Sequence, residues 1–311
     1  MSEHCHCPVC GSDDVEMMGA YRGVHPVFTD LKRVRCGLCG LVFASPLPAE
    51  VSVNDYNASY FSSAHGGQPR EPFAMAFFSG IANLRLAHVQ RYLDDRKITV
   101  SNILEFGPGP GFFARHWLAR YPHAYYKACE TDSSCHESLQ KLGVHLVETS
   151  ALVADSAPVD LVVISHVLEH VSDPLQFLKD ATRNLRKEGV LFIEVPCRDW
   201  EYKPIDEPHL LFFDKGPLRQ LLRSLRFEDI HVSYHGQEIE QLCSASGLRS
   251  ILMTIRSKLI SLGLVAPFAR NRPGLEVLSD PLERAAVAPF QAHCETEKPS
   301  WWLRAMARKT Q

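Results

Sequence analysis

Short apolar runs alternate with longer amphipathic stretches between residues 101 and 235. The runs are NILEFG, YYKACE, VHLVE, DLVVISHV, VLFIEVP and EDIHVSY. Continuous apolar runs separated by helical stretches are typical of a parallel β-sheet that helices cover on both faces. The pattern therefore predicts an α/β domain with a doubly wound, mostly parallel sheet. The run SILMTI, residues 250–255, is a candidate seventh strand, although the same run could be helical.

Helical patterns flank this predicted sheet in the sequence. Residues 49–100 contain a polar loop and then FAMAFFSGIANLRLAHVQRYLDD, whose apolar positions follow a helical period and predict a helical lead-in. After the sheet domain, residues 101–256, we expect residues 257–311 to form a C-terminal helical extension. Its amphipathic stretch KPSWWLRAMARK would dock on its own domain, or contact a membrane surface or a partner. The role of Trp301 and Trp302 in this stretch stays open.

The composition is that of a globular protein. The chain has 311 residues, of which 45% are hydrophobic and 22% charged, and its formal net charge is −3. This balance argues against an overall positive field that would attract nucleic acid. The N-terminus lacks a basic stretch followed by an apolar core, and no window reaches the roughly 18 apolar residues of a membrane span. We therefore expect a cytoplasmic protein without a membrane span.

Two cysteine pairs lie near the N-terminus, in the segments CPVCG and CGLCG. Two C-x2-C pairs with 25 residues between them are a strong signal for zinc, and the glycine after each pair allows a tight backbone turn. The expected ligands are Cys7, Cys10, Cys36 and Cys39. Cys5 is an alternative to Cys7, although the spacing favours Cys7. Four thiolates leave no open coordination position, so we expect a structural zinc ion that folds residues 1–48 into a small ribbon.

The first apolar run of the predicted sheet leads into the glycine-rich turn GPGPG. Dinucleotide sites use the spacing G-x-G-x-x-G and direct backbone N–H groups at a pyrophosphate. Here Pro108 and Pro110 remove two N–H donors, and Glu105 would repel a pyrophosphate by about 1 to 4 kcal/mol. S-adenosylmethionine, which carries a sulfonium and an ammonium group, suits such an acidic turn. Glu130 ends the second run, where an acid can accept hydrogen bonds from both ribose hydroxyls.

These motifs resemble those of class I S-adenosylmethionine-dependent methyltransferases. The segment LEFGPGPGFF is similar to the first motif of that family, ACETD to the second, and DLVVISHVLEHVSDP to the motif at the fourth strand. The resemblance implies a Rossmann-like, seven-stranded sheet and methyl transfer from S-adenosylmethionine. It also assigns cofactor contacts. Glu105, Gly107 and Gly109 would border the methionyl part of the cofactor, together with His166, and Gly111 completes the same turn. Glu130 would bind the ribose, and Ser150 and Ala151 would contact the adenine.

The N-terminal ribbon adds a second resemblance. Together with the following segments LVFASPLP and YNASYF, it resembles the zinc-binding N-terminal region of methyltransferases from sugar and natural-product pathways. The resemblance implies a small-molecule acceptor, such as a sugar nucleotide or a natural-product intermediate. The sequence names neither the acceptor nor the atom that is methylated, and it identifies no protein partner.

Candidate bases are concentrated in the segment EVPCRDWEYKPIDEPHLLFFDKGPL, after the fifth strand. Methyl transfer aligns the nucleophile, the methyl group and the sulfur atom, and it usually removes one proton. The candidates are Tyr202, Asp206, Glu207 and His209. In the sugar methyltransferases that this segment resembles, a histidine just before an aromatic pair is the acid–base residue. This resemblance assigns the catalytic role to His209, with Glu207 and Tyr202 as the other candidates, and histidine changes charge near neutral pH.

Three other interpretations compete with this one. An RNA base methyltransferase could use the ribbon to bind RNA, but residues 1–48 contain only four Lys or Arg residues. A non-catalytic scaffold is a second alternative, although an intact glycine turn with Glu105 and Glu130 argues against loss of the pocket. HVLEH also fits the zinc pattern H-x-x-E-H. That pattern needs both histidines on one helical face, whereas His166 directly follows a predicted strand.

Overall fold

The computed structural model describes residues 5–58, 69–148, 157–244 and 247–310. The strands are β1 (Val15–Ala20), β2 (Lys32–Cys36), β3 (Val42–Ser45), β4 (Asn102–Phe106), β5 (Tyr125–Cys129), β6 (His145–Leu146), β7 (Val159–Ser165), β8 (Leu185–Pro196), β9 (Leu211–Phe212), β10 (Phe227–Glu238), β11 (Glu295–Thr296) and β12 (Ser300–Lys309). The α-helices are α1 (Glu50–Asn57), α2 (Pro72–Asp95), α3 (Phe112–Arg120), α4 (His136–Lys141), α5 (Pro174–Ala181), α6 (Lys215–Ser224), α7 (Ile239–Cys243), α8 (Gly247–Ser261) and α9 (Pro281–Val287).

The larger sheet has the strand order β11-β10-β12-β8-β7-β4-β5-β6. Strands β6, β5, β4, β7 and β8 are parallel, and β12 runs antiparallel to both of its neighbours, β8 and β10. All residues of β7 are buried, as expected for a continuous apolar run in the middle of a covered sheet. The predicted α/β fold with a mostly parallel central sheet is confirmed. The sheet has eight strands where seven are expected, and the additional strand is the short β11 at its edge.

Two apolar cores cover the two faces of this sheet. On one face, α2 and α3 pack on the sheet around buried side chains such as Val89 and Trp117. On the other face, α5 and α6 contribute Leu178, Leu221 and Leu222 to a core that continues without a break into the N-terminal ribbon. The ribbon therefore shares its core with the sheet domain.

The C-terminal part of the chain differs from the sequence-based expectation. SILMTI lies in helix α8, and the stretch that we expect to be an amphipathic helix forms strand β12. The prediction of a helical extension over residues 257–311 is therefore wrong at its end, and the sheet domain does not stop at residue 256. Strand β12 is buried on both faces, and Arg304 occupies a core position, so its sequence does not show the alternation of a half-exposed strand.

Arg304 is accommodated in the core by a buried carboxylate, Glu194, near the end of β8. Oε1 of Glu194 accepts a hydrogen bond from Arg85 Nε on α2 at 2.6 Å, and Oε2 accepts one from Arg304 Nε at 2.7 Å. Burial alone would raise the pKa of Glu194, but the two guanidinium groups and His166 hold it well below its usual range. Helix α2 and strand β12 are thus attached to β8 through one charged group.

Among the helices of the described residues, none combines the length and the apolar character that crossing a membrane requires.

We expect Glu194→Gln to lower the free energy of unfolding by about 3 to 5 kcal/mol, because the substitution leaves buried guanidinium groups without their counter-charge. Urea denaturation followed by circular dichroism measures the change. Glu188→Gln is the matched control, since Glu188 lies on the same strand and pairs with Arg308 of β12, but is 46% exposed. Its effect should stay below about 1 kcal/mol. Equal losses for the two variants would contradict the importance of the buried position.

Candidate functional site

The glycine turn joins β4 to α3 and has a left-handed backbone at all three glycines. Gly107, Gly109 and Gly111 have φ angles of 63°, 54° and 83°, which residues with a side chain rarely adopt. A Cβ atom at Gly107 would lie 2.5 Å from Val167, and one at Gly111 would lie 2.8 Å from Leu139. Both the backbone conformation and the close packing therefore require glycine in this turn.

The turn uses its backbone N–H groups internally. Gly107 and Gly111 donate to backbone carbonyl groups at 2.9 and 3.0 Å. Gly109 donates to Oε2 of Glu130 at 2.8 Å, and the two intervening prolines have no N–H group. A pyrophosphate site relies on several N–H groups that point at the ligand. The five residues of the turn offer none, so the turn is unsuited to a dinucleotide.

Glu130 follows β5 and is held in place by the backbone. One carboxylate oxygen accepts the Gly109 N–H, and the other accepts the Asp132 N–H at 2.9 Å. Burial raises the pKa of Glu130, although these two N–H groups oppose the shift. Each carboxylate oxygen can accept a second hydrogen bond. Glu130 is therefore a fixed acceptor for a pair of hydroxyl groups.

Glu105 lies in β4, directly before the turn, and is 3% exposed. Its Oε2 accepts a hydrogen bond from the hydroxyl of Tyr126 at 2.7 Å. Burial raises the pKa of Glu105 to about 7, and the Tyr126 hydrogen bond only partly offsets that shift. A nearby cation favours the charged form of such a carboxylate. A positively charged ligand at the turn would therefore keep Glu105 ionised.

His166 follows β7 and has a left-handed backbone, with φ at 55°. Its Nε2 lies 3.1 Å from Glu194 Oε1, and its Nδ1 lies 3.3 Å from Glu169 Oε1. Burial alone would lower the pKa of His166, but hydrogen bonds to the two carboxylates raise it above its usual value. The next residue, Val167, packs against Gly107. His166 therefore directly precedes a residue that packs on the glycine turn.

The structure brings the predicted cofactor residues together at one edge of the sheet. The glycine turn, Glu130 and His166 follow the neighbouring parallel strands β4, β5 and β7. The carboxyl ends of parallel strands form the usual ligand-binding edge of such a sheet. Ser150 and Ala151, which the resemblance assigns to the adenine, lie outside the described residues.

A second polar group lies in the loop after β8. Nδ1 of His209 is 2.6 Å from Oδ2 of Asp199, and Nζ of Lys203 is 2.9 Å from the same oxygen. His209 and Asp199 are both buried. Burial alone would raise the pKa of Asp199, but His209 and Lys203 hold it well below its usual range. A carboxylate that binds Nδ1–H of a neutral imidazole leaves Nε2 as the basic nitrogen.

Glu169 and His170 approach His209 from the strand β7 side. They belong to a short 3₁₀ helix, Leu168–His170, and the His170 ring contacts the His209 ring edge to face at a centroid distance of 4.8 Å. Burial lowers the pKa of His170 to about 3. Potential ligand atoms of Glu169, His170 and His209 lie within 4.8 Å of one another.

The zinc pattern H-x-x-E-H is not supported by this arrangement. His166 precedes the short helix Leu168–His170, so the two histidines of HVLEH do not share a helical face.

Two of the other three candidate bases, Tyr202 and Glu207, have different contacts. The hydroxyl of Tyr202 donates to the backbone carbonyl of Trp301 at 3.4 Å, and burial raises the pKa of Tyr202 far above its usual value. Oε2 of Glu207 accepts hydrogen bonds from the N–H groups of Val24 and His25 at 2.7 and 3.0 Å. Glu207 is therefore attached to the N-terminal ribbon.

The ribbon also holds the segment on each side of Glu207. The buried carboxylate of Asp206 pairs with the guanidinium groups of Arg22 and Arg33. The hydroxyl of Tyr21 donates to the backbone carbonyl of His209 at 3.0 Å. Immediately afterwards, β9 pairs with β3 and completes a four-stranded sheet in the order β1-β2-β3-β9. The ribbon thereby determines where His209 lies.

The four expected metal ligands form a cluster at the end of the ribbon. Cys7 and Cys39 have their Sγ atoms 3.5 Å apart, as do Cys10 and Cys36, and all four sulfur atoms lie within 4.8 Å of one another. Thiolates around one tetrahedral ion at about 2.3 Å would be separated by about 3.8 Å. The cluster thus has the size of a tetrahedral four-cysteine site. Cys5 is outside it, and its sulfur accepts a hydrogen bond from Ser45.

Both glycines that follow the cysteine pairs have the conformation that the sequence predicts. Gly11 and Gly40 have φ angles of 74° and 80°. Their N–H groups donate to the carbonyl groups of Cys7 and Cys36, respectively, and close two similar turns. The backbone therefore directs both cysteine pairs toward one point.

Sequence reasoning missed Asp199 and Glu194 as site residues. Glu194 interrupts the apolar run VLFIEVP, and Asp199 follows the end of that run by three residues. An acidic residue inside a buried strand is unusual and could have marked Glu194. Asp199 had no comparable signal, because its partner His209 is ten residues further along the chain.

Comparisons with known proteins agree with this geometry. Residues 81–252, more than half of the chain, match a protein-family profile described as a methyltransferase domain. A curated relative, a ubiquinone biosynthesis O-methyltransferase of Parvibaculum lavamentivorans, is 33% identical over 97 residues. That match spans 29% of this chain and only 38% of the length of the relative.

The solved structures that are similar to this one include two SAM-dependent methyltransferases. A SAM-dependent methyltransferase of Thermotoga maritima, described as a possible histamine N-methyltransferase, is 16% identical with a TM-score of 0.47, over 84% of this chain and 97% of that one. A SAM-dependent methyltransferase of Archaeoglobus fulgidus is also 16% identical with a TM-score of 0.47, over 80% of this chain and 98% of that one.

The region that matches the family profile contains the glycine turn, Glu130, His166 and His209. The profile match and the arrangement of these residues lead to the same assignment. The chain belongs to the family that this profile describes as a methyltransferase domain.

Proposed function

We propose that the enzyme methylates a small-molecule acceptor of the sugar-nucleotide or natural-product class, with His209 as the base that removes a proton. The observation that carries this proposal is the contact between His209 and Asp199 in the loop after β8. This loop follows the strand next to β7, at the sheet edge that carries the glycine turn. The curated relative, an O-methyltransferase of ubiquinone biosynthesis, is also named for a small-molecule pathway.

The residues at the sheet edge fit S-adenosylmethionine better than a phosphate-bearing ligand. When bound, this cofactor supplies a methyl group on a positively charged sulfur atom. Glu130 would accept the ribose hydroxyls on the lone pairs that Gly109 and Asp132 leave free. Glu105 would favour the positive charge of the methionyl part. The turn would allow close approach of the ligand because Gly107 and Gly109 have no side chains.

In this proposal Asp199 acts through His209. Its carboxylate holds Nδ1, so that Nε2 is the nitrogen that takes the proton, and it stabilises the imidazolium that forms. Lys203 keeps Asp199 ionised. Glu207 and Tyr202 serve as positioning residues, because their polar groups bind the ribbon and the backbone of β12.

The contacts of the ribbon support a small-molecule acceptor over RNA. The ribbon segment contains four basic residues, and two of them, Arg22 and Arg33, pair with Asp206. Arginines that neutralise a buried carboxylate contribute little to a phosphate-binding surface. We propose that Cys7, Cys10, Cys36 and Cys39 bind one structural zinc ion, and that the ribbon serves to hold the catalytic loop.

Glu130→Gln is expected to weaken S-adenosylmethionine binding by about ten- to a hundredfold, because hydrogen bonds to a charged acceptor contribute about 1.5 to 3 kcal/mol. Titration calorimetry with the purified protein measures the dissociation constant. Glu137→Gln is the matched control, since Glu137 lies on α4 with an exposed side chain that pairs only with Lys141 among the described ion pairs. An unchanged affinity for the Glu130 variant, or binding of NAD in place of S-adenosylmethionine, would contradict the assignment.

We expect His209→Ala to lower kcat by about 10²- to 10⁴-fold while S-adenosylmethionine affinity stays the same, because general-base catalysis contributes this much. Release of S-adenosylhomocysteine, measured first with wild-type enzyme against a panel of sugar nucleotides and phenolic intermediates, identifies an acceptor for the assay. Asp199→Asn should also lower kcat. His123→Ala, at an exposed site, is the control. Wild-type turnover by the His209 variant would remove the proposed role of this residue.

Purified enzyme is expected to contain one zinc ion per chain, measured by elemental analysis. Cys36→Ser should lose the metal and increase hydrogen exchange in residues 206–213, because zinc binding folds the ribbon that holds this segment. Cys243→Ser, at an exposed cysteine, should change neither. A second zinc ion that is present in the wild-type enzyme and lost from His209→Ala would instead indicate that Glu169, His170 and His209 bind metal, and would contradict a base role for His209.

A further inference from the structure

Helix α8 and the segment that follows it expose an unusual number of large apolar side chains. We call residues 251–272 the basic apolar surface. Seven of the fifteen large hydrophobic side chains that are exposed in the described part of the chain lie in it. They are Ile251, Leu252, Ile255, Leu262, Leu264, Val265 and Phe268. Single exposed apolar residues are normal, but seven within 22 consecutive residues indicate a binding surface.

This surface is anchored to the domain from behind. Ile260 of α8 is buried, and the helix packs against α2. The guanidinium group of Arg256 donates to the carbonyl group of Ala285 at 3.0 Å and to that of Phe268 at 2.7 Å. Ile251 and Ile255, one helical turn apart, lie on the side of α8 that faces away from Ile260. The helix thus buries one face and presents an apolar stripe on the other.

The charged residues within 251–272 are all basic, namely Arg256, Lys258, Arg270 and Arg272. Residues 241–275 contain five Lys or Arg residues and no Asp or Glu, in a chain whose net charge is −3. Arg270 and Arg272, which follow Phe268 closely in the sequence, line a cavity of about 380 Å³ together with Arg284 of α9 and one acidic residue, Glu276. Basic groups therefore stand directly beside the exposed apolar side chains.

We propose that the basic apolar surface docks the enzyme on a bilayer that contains anionic phospholipids. Apolar side chains next to Lys and Arg are the combination that binds the boundary between headgroups and acyl chains. The apolar groups would enter that boundary, and the arginines beside Phe268 would bind headgroup phosphates. This inference does not depend on the proposed acceptor or on His209.

A contact between two copies of the chain fits these charges less well. In a two-fold dimer the same patch meets itself. The exposed side chains of Lys258, Arg270 and Arg272 would then face their own copies, and residues 251–272 contain no acidic residue to compensate them. An anionic lipid surface supplies the opposite charge.

Co-sedimentation of the full-length protein with vesicles tests the proposal without any methyl acceptor. We expect binding to vesicles of phosphatidylcholine mixed with phosphatidylglycerol, weak binding to phosphatidylcholine alone, and loss of binding as salt is raised. Binding that is equal for both vesicle types, or absent from both, would overturn the proposal.

Two double variants separate the apolar contribution from the charge. Leu264→Ser with Phe268→Ser, and Lys258→Glu with Arg270→Glu, should each weaken vesicle binding by roughly tenfold or more. Val24→Ser with Val51→Ser is the matched control, because both valines are exposed outside this surface. Circular dichroism checks that each variant is folded.

Equal loss of vesicle binding in the valine control would contradict the location of the site. Light scattering supplies a second check. A dimer that the Leu264→Ser and Phe268→Ser variant dissociates would assign this surface to a second copy of the chain and overturn the proposal.

Discussion

The buried carboxylate of Glu194 links the fold to the cofactor edge. A charge at this depth is tolerated only with close cationic partners. Arg85 comes from the lead-in helix and Arg304 from the last strand, so both elements are fixed to β8 by the same group. The carboxylate of Glu194 also contacts His166, which follows β7. Strand β12 can therefore lie inside the sheet although it carries an arginine, and the same charged cluster positions His166, a residue of the proposed cofactor site.

The glycine turn shows how a common nucleotide-binding architecture can be adapted to a cationic ligand. A strand, a glycine turn and a helix usually direct free N–H groups at phosphate oxygens. In this chain the N–H groups of the turn already donate hydrogen bonds within the protein. The Gly109 N–H donates to the carboxylate of Glu130 and holds that carboxylate in place. Acceptors instead of donors then dominate this edge of the sheet. The prolines between the glycines remove N–H donors, and the acidic residues at the strand ends repel phosphate, so both features act in the same direction.

The sequence predicted well those features whose cause is local. Turns with glycine, strands with continuous apolar runs and paired cysteines each depend on neighbouring residues, and the structure has them where the pattern places them. Strand β12 was mistaken for a helix because Arg304 is a core residue only through Glu194, which lies 110 positions earlier. In the same way, Glu207 looked like a free base because nothing near it in the sequence shows that Val24 and His25 bind it.

Strand β9 means that the first 48 residues are not a portable module. Three strands of the ribbon sheet come from that region, but the fourth, Leu211–Phe212, belongs to the loop that carries His209. A chimera that exchanged the ribbon alone would have to pair β3 of one protein with β9 of another. Ribbon and loop can be exchanged between related enzymes only as a matched pair. The structural unit formed by the ribbon and the loop is thus discontinuous in the chain.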